Sequence, residues 1–426
     1  MSPERWLILA DDLTGAAETA MAFARAGWSA SVAWGDAAPE DAVLARDTGS
    51  RRLDAEGAAA RHRALLAEDR APGTALFKKI DSTLRGQPAA ELAASLAALR
   101  GRGRRMLAMV APAFPSQGRT VEDGCVRLHG RALEESVIWA HEHSYASADV
   151  REVLDGVGLR VRHAPLAVVR SAERLDLALS EALAAEADAL ICDTVTEADL
   201  AAVVQAGRES ATELFWVGSA GLARALADAF PPLRGAAVSR PAPRGDGGIL
   251  VVVGSLAEVS RVGAARLAQE PSVIPVDLEP ALLRAGPEDA RWHAAAGVAR
   301  AALADGRDVV VRIAATPTDG DGAGPMLARR AAALLRLVAA QAGGLIATGG
   351  ETALALLDAI GASGIRMLEE IEPGVPLGLV RGPHAIPVIT KAGAFGTVDT
   401  LAHCLAHLRH LRDTARPRGL LQESPR

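Results

Sequence analysis

Residues 7–27, LILADDLTGAAETAMAFARAG, decide the fold. Trp6–Ala10 is a short apolar run of strand length, two aspartates follow it, and apolar residues then recur at helical spacing until Gly27. Thr14 fits the N-cap of that helix and Gly27 its stop. The same unit returns in TALFKKIDSTLRGQPAAELAASLAALRGRG (74–103), where Pro88 suits the first helical turn and Gly101 the end. MLAMVAPAF (106–114), ALICDTVTEADLAAVV (189–204) and ELFWVGSAGLARAL (213–226) give three more strand-to-turn junctions. Alternation of this kind predicts α/β units on largely parallel sheets. Ligands of such sheets gather where strands end.

Working outward, the pattern breaks at PPLRGAAVSRPAPRGDGG (231–248) and resumes at GILVVVGSLAEVSRVGAARLA (248–268). The chain is therefore expected to form two α/β domains, residues 1–235 and 249–426, joined by a linker at 236–248. DTARPRGLLQESPR (413–426) should form a loose tail. Ligand sites are expected at strand carboxyl ends and in the interdomain cleft.

The 426 residues are 50% hydrophobic and 23% charged with a formal net charge of -6, a globular composition without the basic footprint of a nucleic-acid binder. No apolar run reaches the length of a membrane-spanning helix, and MSPERWLILADD does not read as a signal peptide. Cys125, Cys192 and Cys404 are too scattered for a disulfide scaffold or a cysteine zinc site, so a cytoplasmic setting is expected. The basic residues are almost all Arg; Lys occurs only at 78, 79 and 391, which hints at places where the wide guanidinium will not serve.

Two groups of residues could carry chemistry. In the second domain, small residues fill three strand-to-helix junctions: Gly254–Ser255, Thr348–Thr352 and Lys391–Thr397. Glycines let backbone amides approach an anion, and a helix N-terminus adds free N–H donors. Three such turns suit a nucleotide's phosphates, although each alone could serve only to pack helix on sheet. No Lys follows a Gly, which excludes a P-loop, and no GxGxxG follows a strand.

In the first domain, Asp11 and Asp12, then Lys78, Lys79, Asp81, Ser82 and Arg85, then Arg119 lie at strand ends. Carboxylates, a hydroxyl and cations together suit a small polar anion, with Arg gripping its carboxylate and Asp accepting from its hydroxyls. A helix cap would explain one of the two aspartates but hardly both. His403, His407 and His410 share a helical face, but without a carboxylate on it they read as solvated; His141–Glu142–His143 reads as loop. GSAGLA (218–223) is either an anion turn or a close-packing device.

ADDLTGAAETA (10–20), KKIDSTLRG (78–86), PAFPSQGRT (112–120), GSAGLA, ATGGETA (347–353), EIEPGVPLG (370–378) and KAGAFGTVDTL (391–401) occur in an order that resembles the four-carbon acid sugar kinase family. The resemblance covers nearly the whole chain. It implies an N-terminal acid-sugar domain, a C-terminal nucleotide domain, and ATP with Mg²⁺ as cofactors. The implied activity is phosphorylation of the terminal hydroxyl of threonate, erythronate or 3-oxo-tetronate, with D-threonate favoured. Carried over residue by residue, Ser255, Gly349, Gly350, Glu351, Thr352 and Gly393 look like ATP contacts, with Lys391 and Gly396 in the same last turn. Asp11, Asp12, Lys79, Asp81, Ser82 and Arg85 fall in the acid-sugar site. Asp12 is first choice and Asp81 second for accepting the hydroxyl proton, with Lys79 steadying the transferred group; Arg85 or Arg119 would meet the acid's carboxylate. Ile80 replaces a common Thr, and DTGSR (47–51) replaces a version with an acidic third residue. A small-molecule acid sugar is the expected partner, with no nucleic acid and no membrane, and homo-oligomerisation is left open. The alternatives are a non-catalytic acid-sugar or nucleotide sensor, and an ATP-independent lyase or isomerase of hydroxy acids.

Overall fold

A computed structural model of the protein describes residues 3–35, 37, 39–67, 73–136, 139–140, 143–210, 214–232, 247–313 and 323–415. Residues 1–237 and 238–426 form two compact units. Most of the expected linker, all of the tail beyond Ala415, and His141 and Glu142 lie outside the described residues.

The first unit contains β1 (Arg5–Ala10), β2 (Ala30–Ala33), β3 (Val43–Asp47), β4 (Thr74–Lys79) and β5 (Leu107–Ala111). It continues with β6 (Arg119–Glu122), β7 (Cys125–Leu128), β8 (Arg131–Ala132), β9 (Val161–Ala164), β10 (Ala189–Cys192) and β11 (Leu214–Gly218). Its main sheet runs β2-β3-β1-β4-β11-β5-β10-β9, parallel throughout. β6, β7 and β8 form a small antiparallel sheet. Strands covered on both faces should read as continuous apolar runs, and LAMVA of β5 and LFWVG of β11 are buried at every position. A core including Leu9, Leu76, Leu92, Val110 and Phe215 lies in this unit, each such side chain contributing about 1.5–3 kcal/mol on burial.

The strand order decides where chemistry can sit. The chain steps from β1 to β2 and β3 on one side, then crosses to β4 on the other. Ala10 is in register with both Asp47 and Lys79, so the turns after β1, β3 and β4 emerge side by side. Such a reversal opens a crevice at the strand ends.

The second unit contains β12 (Ile249–Val253), β13 (Val273–Leu278), β14 (Asp308–Ile313), β15 (Gly344–Thr348), β16 (Gly364–Glu372), β17 (Val375–Arg381) and β18 (Pro387–Lys391). β13-β14-β12-β15-β18 are parallel, and β17 and β16 continue antiparallel. Val253 pairs with Thr348 and Thr348 with Lys391, so the three glycine-bearing turns follow adjacent strands at one level. This unit has its own core, including Val251, Ile346, Ile389 and Leu405. The α/β class and largely parallel sheets are as the sequence predicts. No helix among the described residues is long and apolar enough to cross a membrane.

Local departures have local causes. The first helix spans Leu13–Arg25, so its cap is Asp12 and not Thr14: Asp12 Oδ1 accepts from the Gly15 amide at 2.9 Å. Thr14 donates its hydroxyl to Asp12 Oδ2 at 2.6 Å. GSAGLA resolves as close packing: a Cβ on Gly218 would lie 2.4 Å from the Ala111 carbonyl oxygen and one on Gly221 2.6 Å from that of Ala113. Ser219 Oγ donates to the Ala113 carbonyl at 2.6 Å.

Candidate functional site

Asp11 and Asp12 follow β1, Arg51 follows β3, and Lys79 ends β4 with Asp81, Ser82 and Arg85 just beyond it. Arg51 ties the cluster together. Its Nε is bonded to Asp11 Oδ2, its Nη2 donates to Asp11 Oδ1 at 2.9 Å and Asp12 Oδ1 at 3.2 Å, and its Nη1 is 3.6 Å from Asp81 Oδ2. Arg85 Nη2 donates to the same Asp81 oxygen at 2.8 Å, while Asp81 Oδ1 accepts from the Thr83 amide and hydroxyl. Lys79 Nζ donates to the Ile80 carbonyl at 3.0 Å, and a Cβ on Gly15 would sit 3.3 Å from it. Ser82 is half-buried between Asp81 and Thr83.

Burial raises the Asp81 carboxyl, but Arg85 and Arg51 outweigh it and hold the group well below the usual carboxylate range. Asp11 is likewise raised by burial and lowered overall, by Arg51 above all and then by Lys78 and Lys79. Asp47 moves the other way: burial and repulsion from Asp12 and Asp11 push it up to about 7, against the Gly49 amide that donates to it at 2.8 Å. Arg119, at the start of β6, is half-buried, and its pKa is lowered by burial first and by the neighbouring Arg85, against the opposing pull of Asp81 and Glu18. Its Nη1 donates to the Gln117 carbonyl at 2.5 Å, and its buried Nε finds no hydrogen-bond partner among the described residues. The structure thus gathers Asp11, Asp12, Lys79, Asp81, Arg85 and Arg119. It adds Arg51 and Asp47, which the sequence reading noticed only as part of an unusual segment.

In the second unit the glycine turns interlock. A Cβ on Gly393 would fall 1.8 Å from Ser255 Oγ, and one on Gly254 would fall 2.0 Å from Thr352 Oγ1. Gly349 takes φ +88°, a conformation other residues rarely adopt, and its amide donates to the Lys391 carbonyl at 2.9 Å. The helix Gly350–Ala359, which carries Glu351 and Thr352, begins with no side-chain cap, leaving its first amides to a ligand or water. Lys391 Nζ turns into its own loop and donates to the carbonyls of Phe395 at 2.7 Å, Gly393 at 3.1 Å and Ala392 at 3.2 Å, and to Ser260 Oγ at 3.0 Å. Burial pushes that ammonium down to about 8, opposed by Cys404 and Glu372. Lys391 therefore shapes the 392–396 turn, in which Gly396 is exposed with φ +76°.

The histidine helix needs one correction. Carboxylates do face it, from β16 and not from the helix: His407 Nε2 lies 3.0 Å from Glu369 Oε1, and His403 Nδ1 is bonded to Glu372 Oε1. Even so, no group of three metal-binding side chains forms among the described residues.

Comparison with known proteins bears on both clusters. A sugar-binding N-terminal domain model matches residues 6–226, and a nucleotide-binding C-terminal domain model matches residues 250–401. A D-threonate kinase of Cupriavidus necator is 41% identical over 408 residues, covering 93% of this chain and 96% of that protein. The chain belongs to the four-carbon acid sugar kinase family. Among other members, a D-threonate kinase of Bordetella bronchiseptica is 36% identical over 96% of this chain and 98% of its own length. A 3-oxo-tetronate kinase of Methylobacterium radiotolerans is 31% identical, covering 93% of this chain and 97% of its own. The fold of this acid sugar kinase is also that of two solved structures. One, from Salmonella typhimurium LT2 and described as a putative tRNA synthase, has a TM-score of 0.78 at 20% identity, covering 94% of this chain and 98% of its own. The other, from Haemophilus influenzae, has a TM-score of 0.73 at 19% identity, covering 94% of this chain and all of its own.

Proposed function

We propose that this chain is an ATP-dependent kinase that phosphorylates the terminal hydroxyl of a four-carbon sugar acid, D-threonate in preference to erythronate or a 3-oxo-tetronate. The observation that carries the reading is the convergence of Asp11, Asp12, Arg51, Lys79, Asp81 and Arg85 at adjoining strand ends, in a family whose D-threonate kinases share 41% and 36% identity with the chain.

The acid binds at the first unit's strand ends, its carboxylate drawn to Arg119 or Arg85. Asp12 accepts the proton of the attacking hydroxyl. Its carboxylate is 24% exposed against 10% for Asp81, and it meets one guanidinium, Arg51, where Asp81 meets both Arg85 and Arg51. A carboxylate held far below its usual range is a weak base, which argues against Asp81. Lys79, at the N-terminal end of the helix Leu13–Arg25, steadies charge on the transferred group. ATP lies on the second unit, its phosphates at Ser255, the Gly349–Thr352 turn, Gly393 and Gly396. Mg²⁺ fits this scheme as an ion carried on the phosphates: the described residues offer no carboxylate cage, and Mg²⁺ ordinarily keeps water and phosphate ligands. When bound it neutralises phosphate charge. Alignment and charge neutralisation supply most of phosphoryl-transfer catalysis.

The test is ADP release with ATP and Mg²⁺ against D- and L-threonate, D- and L-erythronate and the 3-oxo-tetronates. D-threonate should give the highest kcat/KM. A higher value with another member of the panel corrects the substrate, and silence across it removes the kinase reading.

A further inference from the structure

Beneath the acid-sugar loops lies a buried polar cluster that no step above uses. Lys78 and His62 are fully buried, and Glu91, on the first turn of the helix Pro88–Gly101, is 1% exposed. Lys78 Nζ stands 2.7 Å from Glu91 Oε2 and donates to the carbonyls of Lys79 at 2.9 Å and Leu9 at 3.4 Å. The other carboxylate oxygen of Glu91 accepts from the Ser50 hydroxyl, itself 2.7 Å from Thr48 Oγ1. His62 Nδ1 donates to the Ala58 carbonyl at 3.0 Å, which leaves Nε2 as the lone-pair nitrogen, 3.8 Å from Glu91 Oε2. Burial and the nearby Lys78 ammonium push His62 down to about 4, so it faces the pair uncharged at neutral pH.

A buried ion pair is weak evidence for stability, because apolar residues of the same volume often do as well. This pair instead touches the ends of β1 and β4 and the turn after β3, the three segments from which the site emerges. The Leu9 carbonyl lies just ahead of Asp11 and Asp12, the Lys79 carbonyl belongs to a site residue, and Ser50 immediately precedes Arg51. Lys78 and Lys79 are adjacent yet divided in role, since side chains of successive strand residues point to opposite faces.

We propose that Lys78 and Glu91, linked through Ser50, are positioning residues that set Arg51 and Lys79 against Asp11 and Asp12 for the acid sugar. The inference rests on the acid-sugar reading of the first unit.

Removing either charge would leave its partner buried and could unfold the protein, so the decisive variant is Ser50→Ala, which keeps both charges and cuts the link from Glu91 to the Arg51 turn, together with the Ser50–Thr48 contact inside that turn. The Thr48 amide donates to the Ala10 carbonyl at 2.8 Å and the Arg51 amide to that of Asp11 at 3.1 Å, and both report on the turn by hydrogen exchange. Ser50→Ala should speed exchange at residues 47–52 about tenfold, the equivalent of one hydrogen bond to a charged group. It should raise KM for the acid about tenfold as well and leave KM for ATP at its wild-type value, while the unfolding midpoint falls by what one buried hydrogen bond to a charged group is worth. Unchanged exchange overturns the proposal, as does an unchanged acid KM in an active enzyme. So does a parallel fall in acid and ATP affinity, which would mark a merely structural contact. If the wild type phosphorylates none of the acids, the functional reading falls while the exchange comparison still decides the positioning.

Discussion

Asp47 sits at the end of β3 with its carboxylate among like charges, and its protonation links the site to stability. Its folded pKa of about 7 lies above the ordinary 3.8, because burial, Asp12 and Asp11 disfavour the anion more than the Gly49 amide favours it. A group whose folded pKa is raised contributes stability that is complete below the unfolded value and is lost as pH rises through the folded value. The relevant window therefore runs from about pH 4 to pH 7. Asp47→Asn keeps the shape and cannot ionise, so it should be more stable than wild type at pH 8, by up to about 4 kcal/mol. The gap should narrow steadily toward pH 5, where native Asp47 is protonated. Urea unfolding at the two pH values measures it, and a gap that does not change with pH would mean the carboxyl is not held protonated. His62 runs the opposite way: its folded value of about 4 lies below the ordinary 6.5, so its contribution is lost as pH falls from about 6.5 toward 4. Comparing pH 8 with pH 5 reads Asp47 through the difference between variant and wild type, in which the His62 effect cancels.

At the scale of elements, the turn from β1 into the helix Leu13–Arg25 shows how propensity and function pull apart. Gly15 lies in the first turn of that helix, where Ala would ordinarily gain up to about 1 kcal/mol. A Cβ there would stand 2.7 Å from Asp12 Oδ1 and 3.3 Å from Lys79 Nζ, so one of these groups must shift. Gly15→Ala should therefore fold with little change in unfolding midpoint while kcat falls at least about tenfold, the cost of a misplaced reacting group. Full activity in a folded Gly15→Ala enzyme would take Asp12 and Lys79 out of the reaction. The alternation that defines this turn was legible in the sequence, because a strand, polar residues and a helical stretch are all local patterns. Arg51 was not, although DTGSR stood out: only the sheet order, which inserts β3 beside β1, brings it to Asp11 and Asp81. Glu91 reads in sequence as one acid in an alanine-rich helix, and nothing local says that it faces Lys78. Lys391 was legible as a lysine with a special task. That its ammonium would be spent on carbonyls of its own loop depends on the path of residues 392–395.

Across the whole molecule, the chain forms two units with separate apolar cores, and each unit brings its strand-end turns to one level. Turns built for ligands make few apolar contacts and open more readily than the strands that carry them. A ligand that docks on such turns suppresses their opening by the free energy of binding, about 2.7 kcal/mol at one hundred times its Kd, or roughly a hundredfold in exchange rate. ATP with Mg²⁺, added alone, should slow exchange at 254–260, 348–353 and 391–397 and leave the first unit's turns as they were. D-threonate alone should slow 10–15, 47–52 and 79–86 and leave the glycine turns unchanged. The assignment of acid to the first unit and nucleotide to the second predicts these two sets to be disjoint, which makes the experiment independent of turnover. Protection of the 47–52 and 79–86 segments by ATP alone would reverse it, and no protection of the glycine turns would remove the nucleotide from the second unit. Ser50→Ala should lose most of the D-threonate protection at 47–52 and keep the ATP protection at 348–353, because the hydroxyl it removes supports only the Arg51 turn.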